Sequence, residues 1–156
     1  MEIMSGSCRL GLWHIRVSWS GRMIHQVRFA TTGIPGDVPP LIKKFSSGQQ
    51  VDLNFFDSVA LHDDGVYSRI YKEVRKIPYG KTAAYGEVAA MADTSPRVVG
   101  QAMARNITPL IIPCHRVVSA QGIGGFSPSV EIKEYLLAME QRARQKTGPR
   151  QKTISE

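Results

Sequence analysis

Residues 85–105 hold two short helical patterns parted by Asp93-Thr94-Ser95-Pro96. Before the break, Tyr85 to Ala92 places Val88, Ala89 and Met91 among good helix formers. After it, Ser95 is a natural N-cap, and Pro96 takes the first helical position, where its missing N–H is harmless. Val99, Ala102 and Met103 then form an apolar face. Two short helices joined by a tight turn predict a helix-turn-helix. The second helix carries Arg97 at its start and Arg105 at its end, with the small residues Gly100, Ala102 and Ala104 between them. Small residues permit close approach to a DNA groove, and recognition helices touch DNA through their N-terminal residues. The same pattern also describes an ordinary αα-hairpin in a helical subdomain.

The flanks supply the rest of the architecture. Val66, Ile70, Val74 and Ile77 recur at helical spacing, with Asp63 or Asp64 as candidate caps and Pro78-Tyr79-Gly80 as the stop. Upstream, Ile15, Val17 and Trp19 alternate with polar residues, Ser20-Gly21-Arg22 is a turn, and Met23 to Phe29 resumes, predicting a β-hairpin. Residues 31–40 have loop composition, a short helix is expected from Pro40, and Val51 to Phe55 reads as a strand. Downstream, Gln121 to Phe126 is a glycine-rich loop, and Glu131 to Gln141 is a last helix with Ile132, Tyr135, Leu136 and Met139 on one side. Composition divides the chain into an N-terminal α/β domain (1–60), a helical domain (61–141) and a basic tail (142–156), the last expected to be disordered.

Charge follows this division. Residues 1–65 carry six basic and six acidic residues, so the net charge of +7 lies wholly in 66–156. That asymmetry points to the second half as the part that meets a polyanion. More than half of it sits in the tail, where five basic residues face Glu156 alone. Such a tail would add salt-sensitive, nonspecific attraction to nucleic acid. No apolar run approaches the ~20 residues of a membrane span. The first residues lack the pattern of a secretory signal. Two cysteines, Cys8 and Cys114, make neither a disulfide framework nor a zinc site. An intracellular, cytoplasmic and nucleoid-associated monomer is therefore expected, with no membrane, metal or cofactor.

The chemistry centres on Pro113-Cys114-His115-Arg116-Val117-Val118. A cysteine after an apolar run is usually a small buried hydrophobe. Here His115 supplies a base of near-neutral pKa and Arg116 a fixed charge that favours thiolate. A deprotonatable cysteine beside a histidine is the minimum for nucleophilic sulfur chemistry. Neighbouring residues do not face each other in a helix or strand, so His115 can serve Cys114 only through a turn or a bridging water. A carboxylate should hold its other nitrogen, and Glu134 and Glu140 are the candidates.

That hexapeptide resembles the active-site signature of the O6-alkylguanine-DNA alkyltransferases, the methylated-DNA–protein-cysteine methyltransferases. The flanks resemble the same family: Ile77-Pro78-Tyr79-Gly80-Lys81-Thr82, Tyr85 to Ala89, Arg97 to Met103, Asn106, and Lys133 to Glu140. The resemblance covers residues 66–140 strongly and the N-terminal hairpin weakly. It implies an α/β fold, with a small, β-hairpin-containing, ribonuclease H-like α/β domain followed by a mainly helical domain with a helix-turn-helix. It implies a DNA repair protein that flips O6-alkylguanine, chiefly O6-methylguanine, from double-stranded DNA and moves the alkyl group irreversibly and stoichiometrically onto its own cysteine. Cys114 would be the acceptor, His115 the base acting through a water, Glu140 its polarising partner, and Asn106 the brace of the turn. Tyr85 would hydrogen-bond the purine and help protonate the departing guanine. The carbonyls of Cys114 and Val117 would read the exocyclic amine, the N–H of Ser127 would face the oxygen, and Phe126, Met103 and Pro109 would complete the substrate site. Arg97 would be the finger filling the space of the flipped nucleotide. Binding would be through the minor groove, with Gly100, Ala102, Ala104, Arg105 and Arg116 also at the DNA.

The match is incomplete in two places. Where the family has tyrosine, serine and glycines after the active site, this chain has Phe126-Ser127-Pro128-Ser129, which offers no hydroxyl at the aromatic position. The turn before the second short helix is about two residues shorter than in some members. Two other functions compete: a thiol hydrolase built on Cys114 and His115, and a non-catalytic alkylation-damage sensor or DNA-binding regulator. The first gives the paired helices no role, and the second needs no cysteine. His14, His25 and His62 read as surface or strand residues, and Trp13 and Trp19 as core. Lys81 and Arg105 suit either a phosphate contact or a solvated charge.

Overall fold

The computed structural model describes residues 2–147. Three antiparallel strands, β1 (Met4–Leu10), β2 (Trp13–Ser20) and β3 (Met23–Ala30), form a meander, and the two-residue β4 (Asp57–Ser58) pairs in parallel with β3. The expected hairpin is β2–β3. Its period-two pattern turns Ile15, Val17, Val27 and Phe29 into the core, and a bulge in the β2–β3 pairing brings Ile24 to the same side. Strand β1 is an addition to the expected hairpin: Met4, Gly6, Cys8 and Leu10 alternate with Ser5, Ser7 and Arg9, a pattern muted by the glycine, and the strand pairs with β2. Residues 51–55 are not a strand. Asp52 accepts the N–H of Asn54 at 2.9 Å and winds Leu53–Phe55 into a 3-10 turn.

Helix α1 (Pro40–Ser46) buries Ile42 and Phe45. Helix α2 (Val66–Val74) is capped by Gly65 rather than by an aspartate. Asp63 instead accepts the Gly65 N–H at 2.8 Å and shapes the turn before the helix. Strand β5 (Ala83–Ala84) leads into α3 (Tyr85–Ala92), which ends with Asp93 in the left-handed region. After Thr94, Ser95 caps α4 (Pro96–Ala104), its hydroxyl accepting the Val98 N–H at 3.3 Å. Strand β6 (Val117–Val118) pairs in parallel with β5, and α5 (Val130–Thr147) closes the described chain.

The result is a mixed α/β fold with an N-terminal sheet and a helical C-terminal part. Its two hydrophobic cores do not follow the chain in order. The first joins the sheet and α1 to Leu110, Ile111, Ile132, Leu136 and Met139. The second unites α2, α3 and α4 with Ile112 and Val117. Helix α5 is thus packed against the sheet, and the segment 110–117 lies between both cores. The tail departs from expectation where it is described: α5 continues through Thr147 with Ala143 buried, so 142–147 is helix. Residues 148–156 lie outside the described residues. Among those described, no helix is long and apolar enough to cross a membrane.

Candidate active site

Register builds the site. Ala83 pairs with Val117 and Ala84 with Val118. The residue after β5 is Tyr85 and the turn before β6 is Cys114–Arg116, so two residues per strand bring a phenol and a thiol to one wall. The turn is a single 3-10 turn, which supplies the bend that a Cys-His pair requires. Asn106 holds the segment ahead of it. Its amide donates to the carbonyl of Ile112 at 2.9 Å, and its carbonyl oxygen accepts the Thr108 N–H at 3.0 Å. The staple matters because Leu110 lies at φ +77°, a backbone region costing a side-chain-bearing residue about 1–3 kcal/mol.

Glu140 is the electrostatic hub. It is 1% exposed. One carboxylate oxygen meets His115 Nε2 at 2.7 Å and Arg116 Nη2 at 2.8 Å. The other accepts from Arg116 Nε and from the Gly80 N–H, both at 3.0 Å. Arg116 also donates to the carbonyl of Ile77 at 2.9 Å. Burial pushes the Glu140 carboxyl up, but His115 and Arg116 outweigh it and hold the group down at about 2. Burial keeps the His115 pKa below its ordinary value despite Glu140, so the ring is neutral at pH 7. A neutral ring whose Nε2–H donates to Glu140 presents Nδ1 as a bare acceptor. Nδ1 is buried and has no hydrogen-bond partner among the described residues. Such an unsatisfied base is a functional-site signature.

Cys114 is 6% exposed, and burial pushes its thiol up to about 11. Asn106 and the positive charge of Lys133 act in the opposite direction. Lys133 is a residue that the sequence reading did not single out. It is fully buried on α5, and its ammonium donates to the carbonyls of Val117 at 2.7 Å and Gly125 at 3.1 Å. It lies 5.9 Å from the Tyr85 ring, and burial lowers its pKa to about 8. A signal existed: Lys133 stands seven residues before Glu140, two helical turns away, beside the apolar Ile132 and Leu136. Burial raises the Tyr85 pKa, so the phenol is a protonated donor at neutral pH.

Tyr85 and Cys114 open onto a cavity of about 430 Å³, within the size range of small-ligand sites, with His115, Glu140 and Lys133 buried behind its lining. Tyr85, Asn106, Pro109, Cys114, Phe126 and Ser127 line it, with Gly100, Met103 and Ala104 contributed by α4. Phe126 packs on Phe29 of β3, ring centroids 5.7 Å apart. Three expected site residues stand elsewhere. Arg116 is buried on Glu140 and cannot be a DNA contact. Ala102 is fully buried, its carbonyl accepting the Tyr71 hydroxyl, because it lies on the core side of α4. Val117 is fully buried, its carbonyl takes the Lys133 ammonium, and it does not line the cavity. Arg97, Ala104 and Arg105 are exposed on α4 and just beyond it. A Cβ added to Gly100 would meet nothing within 4 Å, so that face of α4 is open. Of the two candidate carboxylates, Glu134 is exposed and Glu140 is the one at His115.

Residues 65–142 match the family described as 6-O-methylguanine DNA methyltransferase, DNA binding domain. A methylated-DNA–protein-cysteine methyltransferase of Sulfolobus acidocaldarius is 42% identical over 103 residues, covering 64% of this chain and 65% of that protein. The chain thus spans just under two thirds of that relative's length. The Methanopyrus kandleri protein of the same name is 43% identical over 101 residues, covering 64% of this chain and 75% of that protein. The crystal structure of Mycobacterium tuberculosis O6-methylguanine methyltransferase superposes with a TM-score of 0.75 at 21% identity, covering 99% of this chain and all of that one. At that identity the likeness concerns the fold.

Proposed function

The chain belongs to the 6-O-methylguanine DNA methyltransferase family, and from that premise we propose that it repairs O6-alkylguanine in double-stranded DNA by single-use transfer of the alkyl group to Cys114. The observation that carries the proposal is the cavity itself. A thiol and a protonated phenol face a space large enough for one base, and behind the thiol lies a buried imidazole with one bare nitrogen, held by a buried carboxylate. His115, through a water, takes the Cys114 proton; the thiolate attacks the alkyl carbon. The new S–C bond forms as the C–O bond breaks, its electron pair staying on guanine, which Tyr85 protonates. The thioether is stable, so one molecule acts once. Lys133 favours the anionic sulfur, and Asn106 holds its turn in place.

The alkylated oxygen lies inside a stacked duplex, so the base must be extruded at a cost of a few kcal/mol. We read α3 and α4 as a helix-turn-helix, with the open face of α4 around Gly100 and Ala104 in the minor groove and Arg97 filling the gap in the stack. We read the N-terminal sheet, an antiparallel meander extended by a parallel strand, as a reduced ribonuclease H-like unit. We also keep the boundary near residue 60 and an intracellular, nucleoid-associated monomer as part of this proposal. Phe126 packs against Phe29 and offers the alkyl group an apolar wall without a hydroxyl.

Arg97→Ala should slow transfer from duplex by about 30-fold, roughly 2 kcal/mol of lost help with extrusion. The loss should be much smaller on a single strand, measured by single-turnover kinetics on both. The general test is titration of protein with excess duplex holding one O6-methylguanine per molecule. Repair should stop at one lesion per chain. Repeated turnover points to a hydrolase, and binding without repair to a damage sensor.

A further inference from the structure

Arg28, on the middle of β3, carries charge to the rim of the cavity. Of the residues that line the cavity it is the one that is charged. It is exposed, and its side chain has no hydrogen bond or ion pair to any described residue. Its cross-strand neighbour is Arg16, whose guanidinium is engaged with Thr32, donating to the carbonyl at 3.0 Å and the hydroxyl at 2.6 Å. Two like charges directly opposite on a sheet destabilise it. An incoming anion between or beside them reverses the sign of that interaction. The position is also fixed relative to the site: the neighbouring Val27 N–H donates to the carbonyl of Ile107 at 2.9 Å, tying β3 to the segment just after α4.

The cavity therefore has α4 on one wall, through Gly100, Met103 and Ala104, and β3 on another, through Val27, Arg28 and Phe29. A base drawn in between them leaves its sugar and the attached phosphates at the rim, because the backbone stays continuous with the duplex. We propose that Arg28 pairs with a phosphate next to the extruded nucleotide, so that the N-terminal sheet is part of the DNA-binding surface. This rests on the extrusion reading above. A guanidinium is suited to the task, since its fork matches two phosphate oxygens at once.

The test compares Arg28→Ala and Arg28→Lys with the unsubstituted protein on two substrates: O6-methylguanine in a duplex, and the free O6-methylguanine base, which has no phosphate. The duplex-to-free-base rate ratio should fall about tenfold in Arg28→Ala and recover in part in Arg28→Lys. The slope of log binding constant against log salt should shrink by about one. An unchanged ratio and slope would overturn the proposal. So would a loss confined to adducts bearing a carboxylate, which would make Arg28 a reader of the adduct. Failure of the unsubstituted protein to take a methyl group from either substrate would remove the reading beneath it, and that result precedes any variant.

Discussion

Glu140→Gln should destabilise the protein by about 3 kcal/mol and slow alkyl transfer about a hundredfold. The stability figure comes from the buried pairing of Glu140 with Arg116 and His115. Breaking a buried ion pair by neutralising one partner costs ~3–5 kcal/mol, because the remaining charge is left uncompensated. Holding a carboxyl near 2 that titrates near 4.5 when unfolded corresponds to about 3 kcal/mol. The uncompensated group is Arg116, which keeps the Ile77 carbonyl and one neutral amide oxygen in place of a two-oxygen carboxylate. Glutamine still accepts from Gly80, so the turn at Pro78–Gly80 is weakened rather than lost. The kinetic figure follows from His115, since a positioned general base contributes about 10²–10⁴-fold. Denaturant midpoints report the first effect and single-turnover kinetics the second.

The same substitution has a pH signature. The unfolded chain protonates Glu140 near 4.5, whereas the folded chain resists until about 2. Stability from this group is therefore whole above pH 5 and is lost as pH falls toward 2. His115 adds to the loss in the same direction. Its folded pKa is lowered, so the unfolded chain gains the proton first, and the decline begins below 6.5. Glu140→Gln should flatten the stability profile between pH 5 and 2. A variant as acid-sensitive as the unsubstituted protein would show that the carboxylate is not the hub.

Cys114→Ser should abolish transfer and leave duplex binding intact. Serine is nearly isosteric, and the position is packed against Asn106 and Lys133 rather than exposed, so the fold has little reason to change. The chemistry has every reason to. A hydroxyl ionises far above the thiol and is a poor nucleophile at saturated carbon, whereas His115 and Lys133 need only bring a thiol from about 11 toward neutrality. Alkylation of Cys114 by a small neutral electrophile should correspondingly rise with pH about tenfold per unit between 7 and 10. Residual transfer in Cys114→Ser would place the acceptor elsewhere.

Local sequence was informative where local physics decides. Ser95-Pro96 fixes the start of α4, and alternation at Ile15 and Val17 fixes β2. Strand β1 is hard to read because its alternating face, Met4, Gly6, Cys8 and Leu10, holds a glycine, a small cysteine and no β-branched residue, and its order comes from pairing with β2. The Cys-His pairing of roles was legible as chemistry, but not its geometry. Arg116 looked like a DNA contact because a basic residue beside a nucleophile is ambiguous until Glu140, 24 residues away, is seen beneath it. Ala102 read as a small groove-facing residue, yet helix periodicity with Val99 sends it to the core. Lys133 was missed for a related reason. A buried lysine needs two carbonyls, and those of Val117 and Gly125 arrive through tertiary structure alone.

The direct measurement is mass spectrometry of the protein after incubation with excess O6-methylguanine duplex, followed by peptide mapping. One methyl group per chain is expected, on the peptide containing Cys114, with repaired guanine in the DNA in equal amount. Cys8 serves as the internal control: it is partly buried against Ser46, its thiol is raised by burial, and it should stay unmodified. Methyl on Cys8, or lesions consumed beyond one per chain with Cys114 unmodified, would contradict the account.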